Sequence, residues 1–207
     1  MRNRMLYSAL QGVAAIQQLT RPHALDFMEC VSKEIATLFR NGNKLLVAGN
    51  GGSLSDATHF AEEWTGYFRS PRQALPAIAI SDPAHLTCVA NDVGFDQVFS
   101  RGVEALGRAG DALVVLTTSG KSKNLIHAVE KAKEQKMTTI AFLGKGGGAL
   151  LGVCDYELLI EGFSTSDRIQ EAHMTAMHII IEMVEFLLFP SAEEASPHML
   201  QEEPAAR

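Results

Sequence analysis

The sequence has little of what marks several large classes of protein. Its three cysteines, Cys30, Cys88 and Cys154, lie far apart and form no Cys-x-x-Cys pair. That spacing argues against a disulfide scaffold or a cysteine-ligated zinc finger and is typical of a protein from a reducing cytosol. The sequence shows no run of about twenty apolar residues that could cross a bilayer and no signal-peptide pattern. We therefore expect a cytoplasmic protein with no membrane partner.

A basic surplus is also absent. The 18 lysines and arginines are outnumbered by 24 aspartates and glutamates, which gives a net charge of −6. This balance does not favour nucleic acid as a partner. The 46% of apolar residues and 20% of charged residues are ordinary for a globular protein, and 207 residues are enough for one sizeable domain. We expect one domain over residues 1–190, with a helical extension over about 1–40, and a mobile polar tail over 191–207.

Hydrophobic periodicity predicts an α/β fold. Short apolar runs of the length of a buried strand alternate with stretches of helical spacing, a pattern typical of a parallel sheet covered on both faces. We predict a three-layer sandwich with a five-stranded parallel sheet, preceded by two helices. The predicted strands are 44–48, 77–80, 112–116, 138–143 and 156–160. The predicted helices are 5–19, 23–40, 54–68, a short one after Pro83, one ending near 135, and a long one from about 166 to 189.

The two helices before the first strand lie outside the strand–helix alternation. Both helices are amphipathic: Leu6, Leu10, Val13 and Ile16 recur at helical spacing in the first, and Phe27, Val31, Ile35 and Leu38 do so in the second. The apolar face of such a helix needs something to pack against. A neighbouring subunit is the interpretation we favour, since homo-oligomers are common. Packing on the chain's own sheet is the alternative.

Small polar residues follow two of the predicted strands, where ligands bind in open parallel sheets. Residues 50–53 read Asn-Gly-Gly-Ser, and residues 117–122 read Thr-Thr-Ser-Gly-Lys-Ser. Hydroxyls and free backbone N–H groups at a helix start suit a phosphate, although serine and threonine also serve as ordinary helix caps. Nucleotide motifs are not supported. The Walker A spacing places Val115 where a glycine is required, and residues 49–53 lack the third glycine of a dinucleotide fingerprint.

Two helices carry residues with possible chemistry. His59 and Glu63 lie four residues apart, so they share one helix face and can bind a metal or act as a base, or form only a surface pair. Gln170 and His178 lie on the final helix, about 12 Å apart along its axis at about 1.5 Å per residue. A straight helix cannot easily bring both to one small site. Either this helix bends or a second chain supplies one of them.

Taken together, five segments resemble the sugar isomerase (SIS) domain family and, within it, the phosphoheptose isomerases. They are GNGGSLSDATHFAEEWTG at 49–66, PAIAISD at 76–82, CVANDVGF at 88–95, TTSGKS at 117–122 and DRIQEAHMTAMH at 167–178. The resemblance extends from Asn41 to Phe189 and implies a flavodoxin-like SIS domain. It also implies isomerisation of sedoheptulose 7-phosphate to D-glycero-D-manno-heptose 7-phosphate through an enediol. That reaction is the first step toward the heptose of the lipopolysaccharide core.

The resemblance further implies roles for particular residues and a homotetramer with active sites shared between subunits. Glu63 and His178 match the family's acid–base pair. Its zinc ligands, one ion per subunit, match His59, Glu63, Gln170 and His178. Its substrate contacts match Asn50, Gly51, Gly52, Glu63, Asn91, Asp92, Thr117, Thr118, Ser119, Ser122 and Gln170. Two positions depart from the usual pattern: Thr117 replaces a common serine, and Lys121 replaces a small polar residue.

Two other functions remain open at this point. One branch of the family is not enzymatic and binds the bacterial replication initiator. That branch lacks the equivalents of Glu63 and His178, both of which this sequence has. The domain also serves isomerases and sensors of other sugar phosphates, and the fold does not choose among them.

Overall fold

The computed structural model describes residues 1–190, so the predicted mobile tail over 191–207 lies outside the described residues. Seven α-helices and five β-strands follow one another along the described chain. The helices are α1 (Arg2–Gln17), α2 (Pro22–Arg40), α3 (Gly52–Thr65), α4 (Pro83–Asp92), α5 (Val98–Leu106), α6 (Lys123–Glu134) and α7 (Ser166–Leu188). The strands are β1 (Leu45–Gly49), β2 (Ala77–Ala79), β3 (Ala112–Thr117), β4 (Thr138–Gly144) and β5 (Tyr156–Ile160).

The five strands form one parallel sheet in the order β2-β1-β3-β4-β5. This is the flavodoxin-like order of a doubly wound sheet. Successive side chains of a strand point to opposite faces, so Leu45 and Val47 join one hydrophobic core while Leu46 and Ala48 join the other. Helices α2, α3 and α7 cover the first face, and α5 and α6 cover the second. The predicted three-layer α/β fold is therefore confirmed.

The predicted strands are all present, and three helices differ from expectation by more than one residue. Helix α1 spans Arg2–Gln17 rather than 5–19, and helix α3 ends at Thr65 rather than at Phe68. Helix α3 begins at Gly52, inside the glycine loop, rather than at Leu54. Gly51 makes this early start possible because its φ of 57° turns the chain sharply into the helix. Helix α5 over Val98–Leu106 was not predicted at all, although its apolar residues pack on the second face of the sheet.

The two N-terminal helices differ in how they pack. On α2, Phe27, Val31 and Ile35 are buried in the first core, as the periodicity predicts. On α1 the predicted apolar face is largely exposed: the exposed fractions are 60% for Leu6, 55% for Leu10 and 60% for Val13. Residues of a different face, Gly12 and Ala15, are buried instead.

The segment after α1 is attached to the end of β5 by one side chain. The buried amide of Gln18 donates to the carbonyl oxygen of Glu161 at 2.8 Å and accepts from the N–H of Glu161 at 3.0 Å. Farther along, the Arg168 guanidinium donates to the carbonyl oxygen of Ser8 at 3.0 Å. The N-terminal helices are thus bound to the C-terminal part of the domain.

Helices α3, α6 and α7 each follow a strand, so their N-termini meet at the carboxyl edge of the sheet. Helices α3 and α7 lie side by side on the first face and run in the same direction. This parallel pair carries most of the residues singled out above. Within residues 1–190, no helix combines the length and the apolar character needed to cross a membrane.

Candidate active site

A polar cavity of about 350 Å³ opens at the carboxyl edge of the sheet. Residues from the loops after β1 and β3 line it, together with the first turns of α3, α6 and α7. The structure brings seven of the predicted substrate residues together there. These are Asn50, Gly52, Thr117, Thr118, Ser119, Ser122 and Gln170, and the cavity is also lined by Ser53, Leu116, Leu125 and Ser166.

Glycines allow two loops to cross closely behind this cavity. Gly120 has a φ of 60°, and a Cβ placed on it would lie 1.7 Å from the carbonyl oxygen of Gly147. A Cβ on Gly148 would lie 2.5 Å from the carbonyl oxygen of Ser119. Only glycine fits such a crossing. The loop after β3 is therefore held against the loop after β4, which fixes the hydroxyls of residues 117–122.

Internal hydrogen bonds hold the side chains that line the cavity. The amides of Asn50 and Asn124 exchange two hydrogen bonds of 3.0 and 2.9 Å. The hydroxyls of Thr118 and Ser166 lie 3.0 Å apart, and the Lys145 ammonium donates to Ser166 at 3.1 Å. Sequence reasoning missed Asn124 and Ser166. Their position in the first turn of helices that follow strands was the signal available.

Four of the eleven predicted substrate residues do not line the cavity, and one of them, Glu63, lies in the second group of side chains described below. Asn91 and Asp92 are exposed at the end of α4, where the Asn91 amide donates to the Asp92 carboxylate at 2.7 Å. Gly51 precedes the first residue of α3 and supplies the turn. Lys121 is exposed and does not line the cavity either.

A second group of polar side chains lies between α3 and α7, about two helical turns from the cavity. The Nε2 atoms of His59 and His178 are 3.0 Å apart. A carboxylate oxygen of Glu63 lies 3.4 Å from Nε2 of His59. The donor atoms of His59, Glu63 and His178 all lie within 4.8 Å of one another. The parallel packing of the two helices thus joins the pair predicted from spacing on α3 to a histidine on α7.

The surroundings of this His–Glu–His cluster shift two pKa values toward the uncharged forms, the neutral carboxyl of Glu63 and the neutral imidazole of His178. Burial raises the pKa of Glu63, and the neighbouring carboxylate of Glu62 raises it further. Burial lowers the pKa of His178, and the positive charges of His59 and Arg69 act in the same direction. The ring of Phe68 stacks on His178 with centroids 5.4 Å apart. A carboxylate with a raised pKa is a better base, and a neutral imidazole can bind a metal.

Gln170, the fourth predicted metal ligand, lies apart from this cluster. Its side-chain amide donates to Ser53 at 3.1 Å and lies against Gly52. Helix α7 runs unbroken from Ser166 to Leu188, so Gln170 and His178 remain about 12 Å apart along it. Within one chain, His59, Glu63 and His178 meet, and Gln170 belongs to the cavity.

The donor set of the cluster fits a divalent transition metal. Two imidazole nitrogens and one carboxylate oxygen are the ligands of many zinc sites, and three protein ligands leave a position open for a substrate. Glu63 and His178 are partly buried, whereas the His59 side chain is 41% exposed. The residues present could therefore hold a divalent metal ion.

Comparison with known proteins identifies the family of the chain. The family model described as "SIS domain" matches residues 10–144. A phosphoheptose isomerase of Fusobacterium nucleatum is 57% identical over 162 residues, which cover 78% of this chain and 83% of that protein. One from Vibrio cholerae is 49% identical over 183 residues, 87% of this chain and 96% of that protein.

Solved structures give the same result. The phosphoheptose isomerase of Neisseria gonorrhoeae superimposes with a TM-score of 0.81 at 36% identity, covering 89% of this chain and 98% of that one. The resemblance seen in the sequence is confirmed, and with it the assignment of the protein as a sugar-phosphate isomerase. The chain belongs to the SIS domain family and, within it, to the phosphoheptose isomerases.

Proposed function

We propose that the protein interconverts sedoheptulose 7-phosphate and D-glycero-D-manno-heptose 7-phosphate. The observation that carries this proposal is the meeting of Glu63 and His178 between α3 and α7. The cavity supports it as well, because its hydroxyls and helix N-termini suit a phosphate group. The names of the relatives support the heptose as substrate. In the cell the reaction would take place in the cytoplasm as the first step toward lipopolysaccharide heptose.

Glu63 is the proposed base of this isomerisation. Starting from the ketose, its carboxylate removes a proton from C1, and the electron pair forms the C1–C2 double bond of an enediolate as the C2 carbonyl becomes an oxyanion. Return of the proton to C2 gives the aldose. His178 transfers a proton between the two oxygens, which completes the balance. Burial around Glu63 favours this role because it raises the pKa of the carboxyl.

His59, Glu63 and His178 are the proposed ligands of one zinc ion. When bound, zinc supplies a Lewis acid that polarises a carbonyl oxygen and stabilises negative charge on it. The chain's own residues have separate tasks. His59 and His178 offer nitrogen donors, the Phe68 ring keeps His178 in place, and Glu63 lies close enough to serve as a ligand or as a base.

We further propose that the complete site is shared between subunits of a homotetramer. Gln170 lies in the cavity of its own chain, so it can complete a metal site only in a second copy. The exposed apolar face of α1 supports assembly because it offers surface that a second copy can cover. Mixing the inactive variants Gln170→Ala and His178→Asn tests this. Shared sites predict partial recovery of activity after subunit exchange, whereas sites contained within one chain predict none.

A turnover assay with sedoheptulose 7-phosphate tests the proposed reaction, with detection of the heptose 7-phosphate product. We expect Glu63→Gln to lose activity by about 10³-fold, in the range of general acid–base effects, while the fold and oligomer are retained. Glu130→Gln is the control, since Glu130 is an exposed carboxylate on α6 that lies in neither the cavity nor the cluster. Full turnover in Glu63→Gln would refute the assigned base, and no turnover in the zinc-loaded native protein would refute the substrate.

A further inference from the structure

A single buried arginine binds the end of the helix that carries Glu63. The side chain of Arg72 is 4% exposed. Its guanidinium donates to the carbonyl oxygens of Glu63 at 2.8 Å, Trp64 at 2.9 Å and Gly66 at 3.1 Å. It also donates to the carbonyl of Gln73 at 3.0 Å. The carbonyls of Glu63, Trp64 and Gly66 lie at or just beyond the last turn of α3, where a helix leaves its acceptors unsatisfied.

The same guanidinium joins α3 to α7. Its Nε donates to the Glu185 carboxylate at 2.6 Å. Glu185 lies seven residues after His178, about two turns along the same helix. The side chain of Glu185 is 14% exposed, so the ion pair is largely screened from solvent.

Glu185 also determines where the ring beside His178 lies. The carboxylate oxygen that binds Arg72 accepts a hydrogen bond from the N–H of Phe68 at 3.2 Å. The Phe68 ring then stacks on the imidazole of His178 with an interplanar angle of 24°. Arg72 and Glu185 therefore reach both halves of the acid–base pair, Glu63 through its own carbonyl and His178 through Phe68.

We infer that Arg72 and Glu185 are positioning residues that set the placement of Glu63 relative to His178. This inference rests on the roles proposed above for those two residues. Neither Arg72 nor Glu185 lines the polar cavity at the carboxyl edge of the sheet. Their loss should therefore disturb the chemical step and leave binding of the sugar phosphate largely intact.

The geometry of the contact favours positioning over simple attachment. An apolar contact of the same size would hold α7 and the segment after α3 together at least as firmly, since burying charges costs solvation free energy. The guanidinium instead uses directional hydrogen bonds to successive carbonyls and to one carboxylate, which fixes both angle and distance. Misplacement of a reacting group by about 1 Å can reduce a rate by about 10²-fold.

The test compares Arg72→Gln and Arg72→Lys with the native, zinc-loaded enzyme. We expect kcat to fall by about 10²-fold in Arg72→Gln, with KM for the sugar phosphate changed by less than about threefold. Arg72→Lys should recover part of kcat because it keeps the charge and up to three donors. Substitution of Co²⁺ for zinc gives a second measurement. Its visible spectrum should differ between Arg72→Gln and native protein, since it reports ligand geometry.

A double variant keeps the test valid if a single Arg72 variant fails to fold. Arg72→Met combined with Glu185→Met removes both charges, so that no buried charge is left without its partner. Its kcat should fall as far as that of Arg72→Gln. Arg40→Met is the matched control because the Arg40 guanidinium also donates to a carbonyl of α7, that of Leu187, at 2.6 Å, and this contact lies outside the Arg72 network. We expect its kcat to be native.

Two outcomes would overturn the inference. One is a folded Arg72 variant, single or double, with kcat within about threefold of native. The other is a loss confined to KM. Glu63→Gln, measured in the same assay, separates this failure from failure of the proposed site. If Glu63→Gln is inactive while the Arg72 variants are fully active, only the positioning role is wrong. If Glu63→Gln is active, the site assignment itself is wrong.

Discussion

The two ends of the α3–α7 pair carry different kinds of polar group. At the N-terminal end, glycines, hydroxyls and amides surround the cavity. Two turns away, the cluster consists of two histidines and a glutamate. The cavity therefore offers neutral donors whose protonation does not change near neutral pH, whereas every group of the cluster can titrate. The cavity end suits recognition of an anionic group, and the cluster end suits proton transfer and metal binding.

Metal removal should produce the largest difference between the two ends. After chelation and dialysis we expect turnover to fall by about 10³-fold, since Lewis acid stabilisation of charge is worth several kcal/mol. Binding of inorganic phosphate at the cavity, measured by calorimetry, should remain. Added zinc should restore turnover. Unchanged turnover in a sample verified as metal-free would show that the cluster acts without a metal.

Gly120→Ala should damage the cavity end instead. The added methyl group would meet the Gly147 carbonyl at 1.7 Å, and φ at this position is 60°. We expect a loss of about 3 kcal/mol or more in the free energy of unfolding, from steric overlap added to strain. Gly42→Ala is the control, because Gly42 has a φ of 76° but nothing within 4 Å of the added carbon. That variant should lose only about 1–2 kcal/mol. Equal losses in chemical denaturation would show that the loop crossing is not tight.

His173 separates the two ends along α7, and its burial predicts a dependence of stability on pH. It is fully buried, and burial lowers its pKa to about 4, although its ring contacts the Leu143 carbonyl at 3.0 Å. The unfolded chain has an ordinary pKa of about 6.5 and so binds the proton more readily. The contribution of His173 to the free energy of unfolding is therefore fully present above about pH 6.5. It decreases toward pH 4, by about 3 kcal/mol in total.

The neutral variant His173→Gln should flatten this part of the profile. Its free energy of unfolding, measured between pH 4 and 7, should vary less than that of the native protein. His23→Gln is the control because His23 is exposed, and its profile should match the native one. A native slope retained in His173→Gln would assign the acid sensitivity to other groups.

Ser119→Ala should give the smallest effect and sharpen the contrast with Glu63. Ser119 lines the cavity and is one of several hydroxyls there. Loss of one hydrogen bond to a charged phosphate predicts an increase of about tenfold in KM, with kcat nearly unchanged. Ser55→Ala, on the exposed side of α3, should leave both constants as they are. A loss in kcat alone would place Ser119 nearer to the reacting carbons than to the phosphate.

Sequence periodicity was sufficient for the sheet and for the loops at its carboxyl edge. It also placed His59 and Glu63 on one helix face, since that relation is local. The contact of His59 with His178 spans 119 residues and depends on how α3 and α7 pack. The same holds for Arg72 and Glu185, 113 residues apart. Spacing along one helix carries no information about its neighbour, which is why these contacts could not be predicted from local patterns.

Helix α1 shows a different limit. Its periodicity correctly identified an apolar face, but Leu6, Leu10 and Val13 do not face the chain's own sheet. Amphipathic spacing indicates that a face will be covered and says nothing about what covers it. For this face of α1 the structure excludes packing on the chain's own sheet, whereas α2 does pack there.

The attachment of the N-terminal helices to the last part of the domain has a consequence for synthesis. Gln18 pairs with Glu161, 143 residues later, and Ser8 accepts from Arg168. Because the ribosome makes the chain from its N-terminus, α1 and α2 emerge long before β5 and α7 exist. Until then the apolar face of α2 lacks the part of the core that α7 supplies, and contacts this distant in sequence form slowly. The two N-terminal helices can therefore make these contacts only after β5 and α7 have been synthesised.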